Sequence, residues 1–199
     1  NGEQRSIPTN SIDDMVEGRS LMPKGLTRFL TRSELVDLVR FLSELGKPGE
    51  YAIRTLPTLQ RWRVLSNPGE DLTADVPDSE TFSEQVLSAD PAVWHSAYAK
   101  VAGKLPTAEI ARRIKSNVLY LRGDLEVTQA GPVSVNIEYD GSVAVWMDDE
   151  PFAGEKQFTL SLEPGEHSIT LRVVVDPQQD KELRVTFAKP SGSSAEFTV

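Results

Sequence analysis

From Asn117 onward apolar residues recur with a period of two in short segments separated by turn residues, and this period constrains the fold more than any other feature. A strand places successive side chains on opposite faces. Val118 and Tyr120, then Leu125 and Val127, then Val133, Val135, Ile137 and Tyr139 therefore each mark one face of a strand. Gly131 with Pro132 has the composition of a hairpin turn, and so does Asp140 with Gly141, which leads into Val143, Val145 and Met147. Pro164 and Gly165 turn Phe158, Leu160 and Leu162 into Ile169, Leu171, Val173 and Val175. Leu183 to Phe187 forms a last long strand before a Ser and Gly turn at 191 to 194 and a short terminal strand. Strands at this spacing, with no helical period, predict an antiparallel β-sandwich over residues 116–199.

Residues 1–46 follow a different rule. Thr31 and Glu34 form a capping box, in which hydroxyl and carboxylate each satisfy a free backbone donor at a helix start. Leu35, Leu38, Val39, Leu42 and Leu45 then recur every three or four residues, and Gly46 with Pro48 supplies the stop, so a helix is predicted over 32–45. Gln4 to Pro8 reads as a short strand, and Ser11 to Glu17 as either strand or a single helical turn. Residues 47–115 read as a connecting region. Its acidic, turn-rich stretch from Asn67 to Asp78 is interrupted by Pro77 and is expected to be a surface loop or linker, with a sandwich fragment beginning near Ser79 able to fold alone. Tyr98 with Val101 suggests a strand, and Leu105 to Glu109 admits a loop or a short helix. The predicted fold class is α+β, mainly β: a short helical segment plus an antiparallel β-sandwich.

Composition then excludes several functions. Twenty-one Lys and Arg against 30 Asp and Glu give a net charge of −9, so the chain repels phosphate overall and no nucleic-acid partner is expected. No apolar run approaches the roughly 18 residues of a membrane span. With no Cys there is no disulfide, no thiolate nucleophile and no thioether attachment for haem. His95 and His167 have no companion at metal-ligand spacing. The start at Asn1 and Gly2 reads as part of something longer.

The phrase Ser20, Leu21, Met22, Pro23, Lys24, Gly25, Leu26, followed by Leu30, Thr31, Glu34, Leu35, Leu38, Val39, Phe41 and Leu42, resembles the end of a small c-type cytochrome, where a Met-Pro loop precedes the C-terminal helix. More narrowly it is similar to the haem-binding domain of large secreted proteins in planctomycete-type bacteria. The resemblance covers about residues 1–46. It implies that Met22 is the distal haem ligand, a soft thioether favouring reduced iron. It also implies electron transfer in a periplasmic or secreted parent. The family attaches haem through a Cys-x-x-Cys-His segment that this chain lacks, so haem c is expected in the parent and no cofactor in this chain.

A second resemblance lies in the sandwich. Leu125, Glu126, Val127 and Gly131, Val135 to Tyr139, Asp140, Gly141, Val143 to Met147, Asp148, and Leu160, Leu162, Pro164, Gly165, His167 and Ile169 to Leu171 are similar to the protective-antigen N-terminal type of β-sandwich. Some members bind sugars and others pack or tether, which implies a glycan or a protein as partner. Trp146 and Asp148 match the pattern. If Val143, Val145 and Met147 line the core, Trp146 faces outward with Asp148, and this pair is the expected ligand-binding surface. Trp62 and Trp94 are weighed as sugar-stacking rings against the commoner core role. Asp148, Asp149 and Glu150, with Asp176 and Asp180, match no calcium loop, and a solvated acidic turn is the favoured reading. No nucleophile-elbow phrase or phosphate-cradling loop occurs, so catalysis is not expected. The predicted function is that of a non-catalytic C-terminal fragment of a multidomain cytochrome-like protein whose sandwich docks a ligand. The alternative is a stand-alone carbohydrate-binding or structural sandwich with no haem role.

Overall fold

The structure is a computed structural model that describes Pro8 and residues 11–14, 26–47, 56–100, 102–152 and 156–199. The chain divides into two compact units, Asn1–Glu44 and Leu45–Val199.

In the first unit a 3-10 turn at Leu26–Phe29 precedes helix α1, Arg32–Glu44. The capping box forms as the sequence predicts. The Glu34 carboxylate accepts from the Thr31 backbone N–H at 2.7 Å, and the Thr31 hydroxyl accepts from the Glu34 N–H at 3.3 Å. The backbone hydrogen bond from Thr31, then its hydroxyl, hold the Glu34 carboxyl below its ordinary range. No residue of α1 is buried, and Leu35, Leu38, Val39 and Leu42 stand exposed along one stripe. Ser11 closes a small turn onto the Pro8 carbonyl. Met22 and most of the expected Gln4 to Pro8 strand lie outside the described residues.

The second unit is built from two antiparallel sheets. The larger has the order β2 (Trp94–Tyr98), β1 (Arg61–Leu65), β4 (Val118–Gln129), β9 (Gly165–Val174), β6 (Val143–Met147) and β7 (Glu150–Phe152), with β11 (Glu196–Thr198) also paired to β4. The smaller has the order β3 (Leu105–Pro106), β10 (Glu182–Ala188), β5 (Gly131–Glu138) and β8 (Gln157–Leu162). Between them lies the main core, which includes Leu119, Leu121 and Leu125 of β4, Val133, Val135 and Ile137 of β5, Ile169, Leu171 and Val173 of β9, and Val185 and Phe187 of β10. Helix α4, Thr107–Ile114, adds Ile110 and Ala111 to that core. No helix among the described residues is long and apolar enough to cross a membrane.

Three expectations need correction. The turns at Gly131–Pro132 and Asp140–Gly141 are not hairpins: β4 and β6 belong to one sheet and β5 to the other, so both turns carry the chain across the sandwich. Pro164 and Gly165 likewise lead from β8 in the smaller sheet to β9 in the larger. A strand with one inward face shows the same alternation whichever neighbour it pairs with, so the pattern located the strands and not their partners.

The connecting region is not separate from the sandwich. Strand β1 lies inside the larger sheet between β2 and β4, and Leu59, Trp62 and Val64 are core residues. The acidic stretch is not a linker either. It contains helix α2, Glu70–Ala74, followed by α3, Ser79–Phe82, and a π-helical turn, Ser83–Leu87. Leu72, Phe82 and Val86 are buried in a second core with Leu65, Val118, Tyr120 and Trp146. These short helices lie as a lid over part of the outer face of the larger sheet.

Candidate binding groove

The outer row of β4 reads Val118, Tyr120, Arg122, Asp124, Glu126, since its alternate residues face the main core. The first two lie under the lid and the last three line an open groove. Strand β1 divides in the same way, with Leu65 under the lid and Arg61 and Arg63 in the groove. At the far side, Glu166, His167 and Ser168 of β9 and the Asp148–Asp149 turn complete the wall. The groove encloses about 820 Å³.

Trp146, expected to face outward for a ligand, is 2% exposed and belongs to the lid core. Its ring stacks on Phe82 with centroids 4.4 Å apart and planes 7° from parallel. Val145 and Met147 do face the main core, so the parity is as expected; the outer face of β6 is covered as well. Trp62 is also buried, and Trp94 packs against the lid core.

Asp148 does reach the groove. It is the first residue of the two-residue turn joining β6 to β7, where Met147 pairs with Glu150, and its φ of 55° is a left-handed value that aspartate tolerates better than most residues. Its backbone N–H donates to the Ser168 carbonyl at 2.7 Å, and its carboxylate accepts from the Ser168 N–H at 2.8 Å. The other carboxylate oxygen faces His167 Nδ1 at 2.9 Å, while His167 Nε2 meets the Glu163 carbonyl at 2.8 Å. Carboxylate and carbonyl oxygens only accept, so the doubly protonated imidazolium alone satisfies both contacts. Burial works against that charge, but the Asp148 hydrogen bond, the Glu163 carbonyl and the Asp148 charge together raise the His167 pKa above its ordinary 6.5. With both nitrogens occupied, His167 has no free lone pair for a general base or an iron. The pair is a clasp between the β6–β7 turn and β9.

This clasp carries a pH dependence. A pKa raised on folding contributes stability that is complete below the unfolded value and is lost as pH rises through the folded one. The melting temperature of the wild-type chain should exceed that of His167→Asn at about pH 6, and the gap should narrow by about pH 8. A gap that widens with pH would show that His167 is held neutral.

On the groove floor Arg63 and Arg122 stand directly opposite each other on β1 and β4, an unfavourable like-charge pair. Asp124 forms an ion pair with Arg63. Arg122 reaches Ser168 Oγ at 3.2 Å, yet its Nε is buried with no hydrogen-bond partner. Burial, then the charge of Arg63, lower the Arg122 pKa against the opposing pull of Asp124 and Asp148. The groove continues past Arg61 and Arg63 into a smaller hollow that includes Tyr98. Tyr98 is paired across β1–β2 with Arg61 and is 66% exposed. The exposed ring is therefore Tyr98 and not Trp146. Sequence reasoning missed Arg61 and Arg63 because β1 went unrecognised, although Arg61, Trp62, Arg63, Val64 alternates polar and apolar as a strand does, and without β1 beside it Arg122 of β4 carried no signal.

Among the described residues no group of three or more His, Cys, Asp or Glu gathers to hold a metal ion. With no Cys the chain cannot attach haem through thioethers, and His167 is engaged at both nitrogens.

No family model and no curated protein matches the chain. Two crystal structures of a β-glucosidase from Kluyveromyces marxianus resemble part of it. The one in complex with glucose is 14% identical over 65% of this chain and 16% of its own, with a TM-score of 0.41. A Se-Met labelled form is 12% identical over 73% and 15%, with a TM-score of 0.40. The chain thus spans about a sixth of that protein's length, and likeness at this level settles neither family nor function.

Proposed function

We propose that this chain is a non-catalytic binding module whose β-sandwich docks onto a glycan through the groove between Tyr98 and Asp148. The observation that carries this reading is the exposed Tyr98 ring beside donors and acceptors of both signs, Arg61, Arg63, Arg122 and Asp124. A sugar presents an apolar ring face for stacking and hydroxyls that both donate and accept, so it suits such a surface. Isothermal titration against an oligosaccharide panel should identify a ligand whose affinity falls at least tenfold in Tyr98→Ala and in Asp124→Ala. Wild-type affinity in both variants would exclude the groove, and no binding across the panel would favour a protein partner.

The wider setting is a finer proposal. The Ser20 to Leu26 phrase and the helix that follows support reading the first unit as the tail of an exported cytochrome-like protein, with Met22 as haem ligand in the parent only. The exposed stripe of α1 fits this reading, because a 13-residue amphipathic helix is marginal in water until its apolar face is packed. In a haem-loaded parent, Met22→Ala should abolish the absorption feature of thioether ligation; an unchanged spectrum would remove Met22 from that role.

A further inference from the structure

A second cavity, of about 350 Å³, shares no lining residue with the main groove and only Ser96 with its extension beside Tyr98. It opens where α4 closes one end of the sandwich against β1 and β2. Its floor is apolar, formed by Val64, Ala97, Ile110 and Ile114. Val64, Ala97 and Ile114 also touch the main core, so this floor is a continuation of the protein interior. Its rim carries His95, Arg113 and Lys115, and no Asp or Glu lines it.

That rim is unusual for a chain of net charge −9. Arg112, next to Arg113, is occupied with the Pro177 carbonyl at 3.3 Å. Arg113 and Lys115 make no ion pair among the described residues, in contrast to Lys100 and Lys104, which engage Glu182. Lys115 is fixed by the end of the helix: it adopts a left-handed φ of 58° and its backbone N–H closes onto the Ala111 carbonyl. Basic residues in a last helical turn do complement the helix dipole. That role accounts for their sign but not for the apolar hollow beneath them. His95 sits across from Val64 in the β1–β2 ladder and places an imidazole at the cavity mouth.

We infer that this cavity binds a small amphipathic monocarboxylate, its apolar body on Val64, Ile110 and Ile114 and its carboxylate between Arg113 and Lys115. A cavity of this volume suits a ligand of about ten heavy atoms. A carboxylate at a cationic rim gains charge-assisted hydrogen bonds, and the apolar floor selects against hydrophilic anions.

The test uses the full chain, isotope-labelled for amide NMR, titrated separately with octanoate, octanol, acetate and inorganic phosphate. Octanoate should shift the amides of Val64, His95, Ala97 and Ile114 saturably and bind at least tenfold more tightly than the other three probes. The double variant Arg113→Gln with Lys115→Asn should weaken octanoate at least tenfold. Both side chains are exposed and Asn tolerates the left-handed conformation, so the amide spectrum should otherwise be preserved. Absence of saturation overturns the inference, as does unchanged affinity in the double variant. Octanol bound as tightly as octanoate would show the cations to be idle, and phosphate bound as tightly would show the same of the floor; either result also overturns it.

Discussion

A fragment beginning at Ser79 should fail to fold, whereas residues 56–199 should melt in one cooperative transition. The cut at Ser79 removes β1 from within the larger sheet, leaving β2 without its neighbour and the edge of β4 at Leu121 and Arg122 unpaired, with only β11 remaining further along that edge. It also removes Leu59, Trp62, Val64, Leu65 and Leu72, all of them buried. At about 1.5–3 kcal/mol for each buried side chain, their loss rivals the roughly 5–15 kcal/mol that holds a typical domain together. Polar anchors go with them. The Leu72 carbonyl accepts from the Tyr120 hydroxyl and from Arg172 Nε, both at 3.1 Å, and the Thr73 carbonyl accepts from Arg172 Nη2 at 2.9 Å. Without α2 the buried Arg172 guanidinium loses these acceptors, a penalty of its own. Circular dichroism and amide dispersion of the two fragments decide the matter. A dispersed spectrum and an undiminished melting temperature for 79–199 would restore the independent sandwich.

The sequence contained a sign of the lid that alternation alone concealed. Val118, Leu119, Tyr120 and Leu121 are apolar in succession, as are Val143 to Met147, and a strand apolar on both faces is covered on both. Reading only every second residue assigned Trp146 to solvent. The covering segment was harder to see, because its helices are four and five residues long and acidic, and each contributes a single buried apolar residue, Leu72 or Phe82. By contrast α1 was legible because its cap and apolar period are local. Asp148 was singled out by strand parity and by its resemblance to a sandwich phrase, and it lines the groove. Its bond to His167, 19 residues on, and the meeting of Arg63 with Asp124, 61 residues on, depend on strand order, which no local pattern contains. Asp-Gly and Pro-Gly turns reverse a chain equally well within a sheet and between sheets, so turn composition could not supply that order.

Trp146→Ala should lower the stability of the second unit by about 3–5 kcal/mol, the range for truncating a buried Trp or Phe. Phe82, stacked on the Trp146 ring at 4.4 Å, and Tyr120, tilted at 6.3 Å, would face a cavity that no neighbouring main chain can close without shifting the lid. The aromatic pairing adds a coupling term. The double substitution Trp146→Ala with Phe82→Ala should fall short of the sum of the single losses by about 1 kcal/mol. Equilibrium denaturation in urea measures all three variants. This prediction and the Tyr98 prediction have opposite signatures: truncating the exposed Tyr98 should weaken ligand and leave the unfolding midpoint nearly unchanged, because an exposed ring has little packing to lose. Trp146→Ala should move the midpoint, and it should affect ligand affinity only as the lid loosens beside Leu87, the lid residue that reaches the groove. A Trp146→Ala chain of wild-type stability that no longer bound ligand would reverse the assignment and make Trp146 the docking ring.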